Sequence, residues 1–178
     1  MRATSAPNAD ASFDVVYLNA VFHWLPERIG PLRQWHRVLR AGGRLGITTG
    51  SKDRLSTLQA IRKSVLACEP YARFPEARAG TAYRVSAEEL VSLLEETGFD
   101  VDSIDVLPSA VVHRSADAAI DFSQASSFGN FLGHLPDDLR RTAKEEIWRE
   151  LEALRTPEGI RVEGARISAV ARARKEKG

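Results

Sequence analysis

The chain has 178 residues, 43% of them hydrophobic and 28% charged, with a net charge of +1. That is enough for one domain with a core, and it gives no bulk field to favour nucleic acid or a membrane surface. The lone Cys68 rules out an intrachain disulfide or a cysteine metal cluster, and no metal site is expected. No apolar run reaches transmembrane length and no signal peptide is visible, so the expected compartment is cytoplasmic.

Residues 1–12 (MRATSAPNADAS) are small and polar and read as an N-terminal segment ahead of a domain over 13–178. Phe13–Leu18 (FDVVYL) is a short apolar run rich in β-formers, expected to be a strand buried on both faces. Leu32, Trp35, Val38 and Leu39 recur at helical spacing and predict a helix with one apolar stripe. Pro31 suits its first turn, Gly42-Gly43 is expected to stop it, and His36 and Arg37 fall off the stripe, onto the surface. Arg44–Thr48 then resumes an extended pattern, making strand, helix and strand a parallel crossover.

Leu55, Leu58, Ile61, Val65 and Leu66 predict a second helix, with Asp53 as its N-cap. The stretch 70–84 holds Tyr71, Phe74 and Tyr83 among prolines and a glycine and reads as a long loop. Val85–Gly98 is the best-marked helix. Ser86 and Glu89 form a capping box, Val85 and Leu90 a staple, and Gly98 a stop. Phe99–Leu107 reads as a strand, 108–159 as a mostly helical stretch with Ser115 capping one helix, and Ile160–Ala173 as the last strand.

Two segments at a fixed gap, FDVVYLNAVFHWL and RVLRAGGRLGI, resemble the part of class I S-adenosylmethionine (SAM)-dependent methyltransferases that follows the main cofactor loop. The nearest group is the small-molecule type that includes the trans-aconitate and ubiquinone/menaquinone methyltransferases. The resemblance implies an α/β fold. The chain would be the C-terminal half to two-thirds of a Rossmann-like sheet, its strands in the family order 4-5-7-6, with flanking helices and a helical insertion over about 108–159 before the last strand. It implies SAM as cofactor and a small-molecule methyl acceptor. Asn19 and Ala20, and Ala3 upstream, would line the cofactor. His23 would be the catalytic base, with Trp24, and less directly Tyr71, Phe74 and Tyr83, on the acceptor side. His23, Phe22 and Trp24 are equally readable as structural residues, and packing is the alternative for the three tyrosine and phenylalanine candidates. The family's glycine-rich SAM loop has no counterpart ahead of Phe13. The expectation is therefore a truncated enzyme, weak or inactive alone. The alternative is a non-enzymatic binding or dimerisation module. The expected partners are a second copy or a separate N-terminal half.

Overall fold

A computed structural model describes residues 9–75, 82–126 and 131–174. Its strands form one sheet. β1 (Phe13–Asn19) pairs in parallel with β2 (Leu39–Gly50), from Val15 opposite Arg44 to Asn19 opposite Thr48. β2 pairs antiparallel with β4 (Ile160–Ala173), from Arg44 opposite Arg172 to Gly50 opposite Arg166. β3 (Phe99–His113) takes the far side of β4, so the order is β1-β2-β4-β3. This is the α/β arrangement expected, the family's 4-5-7-6.

The chain divides into two compact units. The first comprises Met1–Asp53, Tyr83–Leu107 and Ala165–Gly178. Its core gathers Leu18 and Phe22, Leu32 of α1 (Ile29–Val38), Leu45 and Ile47 of β2, and Ile167 of β4. Leu90 and Leu94 of α3 (Ala87–Glu96) and Phe99 complete it. The second unit, Arg54–Ala82 with Pro108–Gly164, has its own core. There Leu58 of α2 (Thr57–Leu66), Ile120 of α4 (Ala116–Ser126) and Ile147 and Leu151 of α5 (Asp137–Glu152) pack together. Among the described residues no helix is long and apolar enough to cross a membrane.

α3 forms as the sequence demands. The Ser86 hydroxyl receives the Glu89 N–H at 3.1 Å, Glu89 reaches back to the Ser86 N–H at 3.0 Å, Val85 and Leu90 are buried, and Gly98 leaves the helix at φ +95°. Other expectations need correction. α1 ends at Val38, where the Leu39 N–H still bonds to the Trp35 carbonyl, and Leu39 is already the first residue of β2. Gly42-Gly43 therefore stops no helix. The pairing jumps from Phe13–Leu39 to Val15–Arg44, so the extra β2 residues loop out, with Gly42 at φ +79°. A β-carbon on Gly43 would come within 2.9 Å of the Arg40 carbonyl oxygen.

β1 is not buried on both faces. Val16 and Leu18 pack on the first core, but Val15 and Tyr17 are 59% and 64% exposed, because among the described residues only one face of the strand meets other elements. His36 is half-buried rather than on the surface, its ring edge-on to Phe99 at 5.2 Å. Residues 11 and 12 are tied to the end of α1: the N–H groups of Ala11 and Ser12 donate to the carbonyls of Arg37 and Val38 at 3.0 and 2.8 Å.

α2 is capped by Ser56, not Asp53: the Gln59 N–H donates to the Ser56 hydroxyl at 3.3 Å and the Gln59 side chain accepts from the Ser56 N–H at 3.1 Å. β3 runs six residues beyond Leu107, to His113. Pro108 is tolerated because β3 is an edge strand with no ladder partner owed on its outer side. The helices before the last strand therefore occupy 116–152. Ser115 caps α4 as expected, accepting the Ala118 N–H at 3.1 Å.

Candidate active site at the ends of the parallel strands

Because β1 and β2 are parallel, their C-terminal ends meet. That end of an open α/β sheet is where ligands bind. Asn19 lies opposite Thr48, and the Ala20 N–H donates to the Thr48 carbonyl at 2.9 Å. Ala20 sits at φ +55°, a left-handed conformation that costs an alanine about 1 kcal/mol. The chain leaves the sheet sharply there and makes a single 3₁₀ turn, Phe22–Trp24. Phe22 is fully buried and anchors the turn, its ring 6.5 Å from that of Trp35. His23 and Trp24 are left half-buried beside it, with ring centroids 5.0 Å apart.

His23 is held in place. Its Nδ1 lies 3.0 Å from the hydroxyl of Thr49, a buried residue near the end of β2. Burial, and secondarily the positive charge of Arg84, lower its pKa to about 4. The imidazole is therefore neutral at physiological pH. If Nδ1–H donates to Thr49, Nε2 keeps its lone pair and can accept a hydrogen bond or a proton. If Thr49 donates, Nε2 carries the hydrogen instead. A conjugate acid this strong makes His23 an efficient base only toward an acidic proton.

The next layer comes from residues 83–85. The Tyr83 N–H donates to the His23 carbonyl at 2.7 Å, and the Tyr83 carbonyl accepts from Arg28. Arg28 also lies over the Phe22 ring, 5.7 Å from its centroid.

The structure thus brings Asn19, Ala20, His23, Trp24 and Tyr83 into one unit, with Tyr83 joined through its backbone. Tyr71 and Phe74 lie in the second unit. Tyr71 is buried and donates its hydroxyl to Glu146 at 2.8 Å, while Phe74 packs against that unit's core. Ala3 lies outside the described residues. Thr49, Arg28 and Arg84 are additional residues of the site. Thr49 carries a signal in its place at the end of a strand. The two arginines carry none, since only the tertiary fold brings 83–85 back to the loop.

The neutral imidazole, the indole face of Trp24 and the exposed Asn19 carboxamide suit the methionine end of SAM: an aromatic face attracts a sulfonium, and an amide can bond to the amino-acid group.

Known proteins share sequence with one end of the chain and fold with most of it. Residues 1–47 match the family described as "Methyltransferase domain". A stretch of 57 residues is 37% identical to malonyl-[acyl-carrier protein] O-methyltransferase 1 of Coxiella burnetii, covering 32% of this chain and 20% of that protein. Among solved structures, a Bacillus halodurans C-125 protein named as a candidate methyltransferase superimposes with a TM-score of 0.55 at 16% identity, over 96% of this chain and 74% of its own. YcgJ of Bacillus subtilis gives 0.53 at 17% identity, over 96% and 68%. A SAM-dependent methyltransferase of Methanosarcina mazei gives 0.50 at 17%, over 99% and 66%.

The fold is that of the class I SAM-dependent methyltransferases. The sequence match to that domain family covers residues 1–47 only, and the likeness over the rest of the described chain is one of fold. The match to the curated relative spans a fifth of that protein's length.

Proposed function

We propose that this chain provides the strand-end wall of a cytoplasmic SAM-dependent methyltransferase site that acts on a small molecule. The observation that carries this reading is the His23–Thr49 hydrogen bond at 3.0 Å, which fixes a neutral imidazole where parallel β1 and β2 end. SAM, when bound, supplies the activated methyl group. Asn19 and the Ala20 turn line its methionine side, Trp24 faces the sulfonium, and His23 takes a hydrogen bond or a proton from the acceptor. A polypeptide of these 178 residues by itself binds SAM weakly or not at all, because the resembled family's glycine-rich loop is not among them. A second reading, a binding or dimerisation module, is favoured by one observation only, the exposed Val15 and Tyr17 on β1.

Titration calorimetry of the full chain with SAM and with S-adenosylhomocysteine should give no micromolar heat. Millimolar S-adenosylhomocysteine should shift backbone amide resonances within Asn19–Trp24. Tight binding would refute the weak-alone reading. Shifts confined to other residues would refute this site.

A further inference from the structure

The second unit carries an open groove between α4 and α5, and none of its residues belongs to the strand-end site. Asp117 of α4 lines it with Arg141, Lys144, Glu145, Trp148 and Arg149 of α5, and its volume is about 480 Å³. That is room for a small molecule. Arg141, Lys144 and Trp148 recur at three- and four-residue spacing, so they share one face of α5. The helix buries a different face, through Ala143, Ile147 and Leu151.

Trp148 is both fixed and open. Its indole N–H donates to Asp117 Oδ2 at 3.0 Å, yet the residue is 37% exposed. Indole has a single donor, so this bond satisfies it and orients the ring while the apolar surface stays reachable.

The charges around the ring are set by helix spacing. Glu145 meets Arg149 at 3.7 Å, an acid four residues ahead of a cation, which is the favoured order on a helix. Arg141 stands four residues before Glu145, in the poorer order, and Asp137 pairs with Arg140 at 3.0 Å instead. Lys144 has Arg140, Arg141, Ile147 and Trp148 at its neighbouring helical positions and no acid among them. Arg141 and Lys144 therefore have no ion pair among the described residues, and two like charges three residues apart repel. An anion bound between them relieves that repulsion. Across the lining, three cations against two acids leave one positive charge.

We propose that this groove binds a small aromatic carboxylate, its ring stacked on Trp148 and its carboxylate held by Arg141 and Lys144. Aromatic stacking and charge-assisted hydrogen bonds are the two interactions these side chains supply. The single excess charge suits a monocarboxylate better than a phosphate dianion. Asp117 and Glu145 beside the ring disfavour a second negative group, and with it an acidic segment of a partner protein. The proposal stands apart from the methyltransferase reading and does not rest on it.

The test is nuclear magnetic resonance on the full chain, with benzoate, its uncharged amide benzamide, acetate and a hexaglutamate peptide added separately. The chain has three tryptophans, and the indole N–H resonance lost in Trp148→Phe is that of Trp148. Benzoate should shift it with a low-millimolar Kd, as befits so small a ligand, while benzamide and acetate at the same concentration should not. Replacing both cations, Arg141→Gln with Lys144→Gln, should weaken benzoate binding about tenfold. Trp148→Leu should weaken it too, read from the backbone amides of Lys144 and Glu145. All three positions are exposed, so the variants should fold, which circular dichroism checks. No shift with benzoate in the parent, or unchanged affinity in the folded double variant, overturns the proposal. An equal shift with benzamide overturns the role of the carboxylate, and an equal shift with acetate overturns the stacked ring. A stronger response to hexaglutamate assigns the groove to an acidic partner and overturns the small-molecule site.

Discussion

His23 and Thr49 share one hydrogen bond, Nδ1 to Oγ1 at 3.0 Å, and through it the loop after β1 is fastened to the end of β2. Burial first, and the charge of Arg84 second, favour a neutral ring there, and this couples the site to pH. The unfolded chain protonates His23 near the ordinary value of 6.5, whereas the folded chain resists protonation down to about 4. Between those values the unfolded state binds more protons, so stability rises with pH across the window.

The contribution of His23 is fully present above pH 6.5 and is lost as pH falls through about 4. Discounted for the solvent that reaches the ring, it amounts to about 1–2 kcal/mol. Urea unfolding of the parent and of His23→Gln should therefore show a steeper loss for the parent on going from neutral pH to about pH 4.5. Parallel curves would mean that His23 is not held neutral.

Tyr71 offers a second check, this time on a candidate acceptor contact. Its phenol is buried, and burial with the hydrogen bond to Glu146 pushes its pKa up to about 12. Tyr71→Phe should cost about 1 kcal/mol by removing that bond. It should leave the amide shifts over Asn19–Trp24 with S-adenosylhomocysteine unchanged. In the parent, one tyrosine should ionise well above the ordinary range in an ultraviolet titration. An altered ligand response in folded Tyr71→Phe would return Tyr71 to the acceptor side.

The sheet order and the strand-end loop were legible because parallel strands joined by a helix leave a strong sequence pattern. The failures have separate causes. Two glycines after an apolar helix stripe signal a C-cap, but Leu39 is buried as the start of β2, so the glycines serve a bulge instead. A run such as FDVVYL looks buried on both faces, whereas β1 has only one covered face among the described residues. Pro108 reads as a strand terminator, and only the position of β3 at the sheet edge makes it acceptable. The partnership of Arg84 with His23 depends on a return of the chain that no local pattern encodes.

The cap of α2 tests one of these corrections directly. Ser56→Ala should destabilise by about 1 kcal/mol, as should Ser86→Ala at the matching position of α3. Asp53→Ala should fall within about 0.5 kcal/mol of the parent. A large effect at Asp53 with none at Ser56 would place the helix start where the sequence pattern first suggested it.

The two edges of the sheet are unequal, and this leads to the last prediction. β3 is an edge protected by Pro108 and by the acidic Asp102 and Asp105. Among the described residues β1 is the other edge, and its composition (FDVVYLN) offers only Asp14, which pairs with Arg40 at 2.6 Å. Tyr17 lies over Gly46, and Val15 and Tyr17 expose apolar surface on the same strand. An apolar edge without lysine or proline templates pairing with another chain. A second copy would cover the same groups. Residues 11 and 12 do not protect this edge, since their amides are bonded to the end of α1. The full chain alone should therefore self-associate through β1, and Val15→Lys should shift it toward monomer in light scattering coupled to gel filtration. Amide exchange gives the independent reading: Val15 to Leu18 should become more protected as concentration rises in the parent, and not in Val15→Lys. A monodisperse parent at high concentration with those amides already protected would sink the prediction, because the edge would then be covered from within the chain.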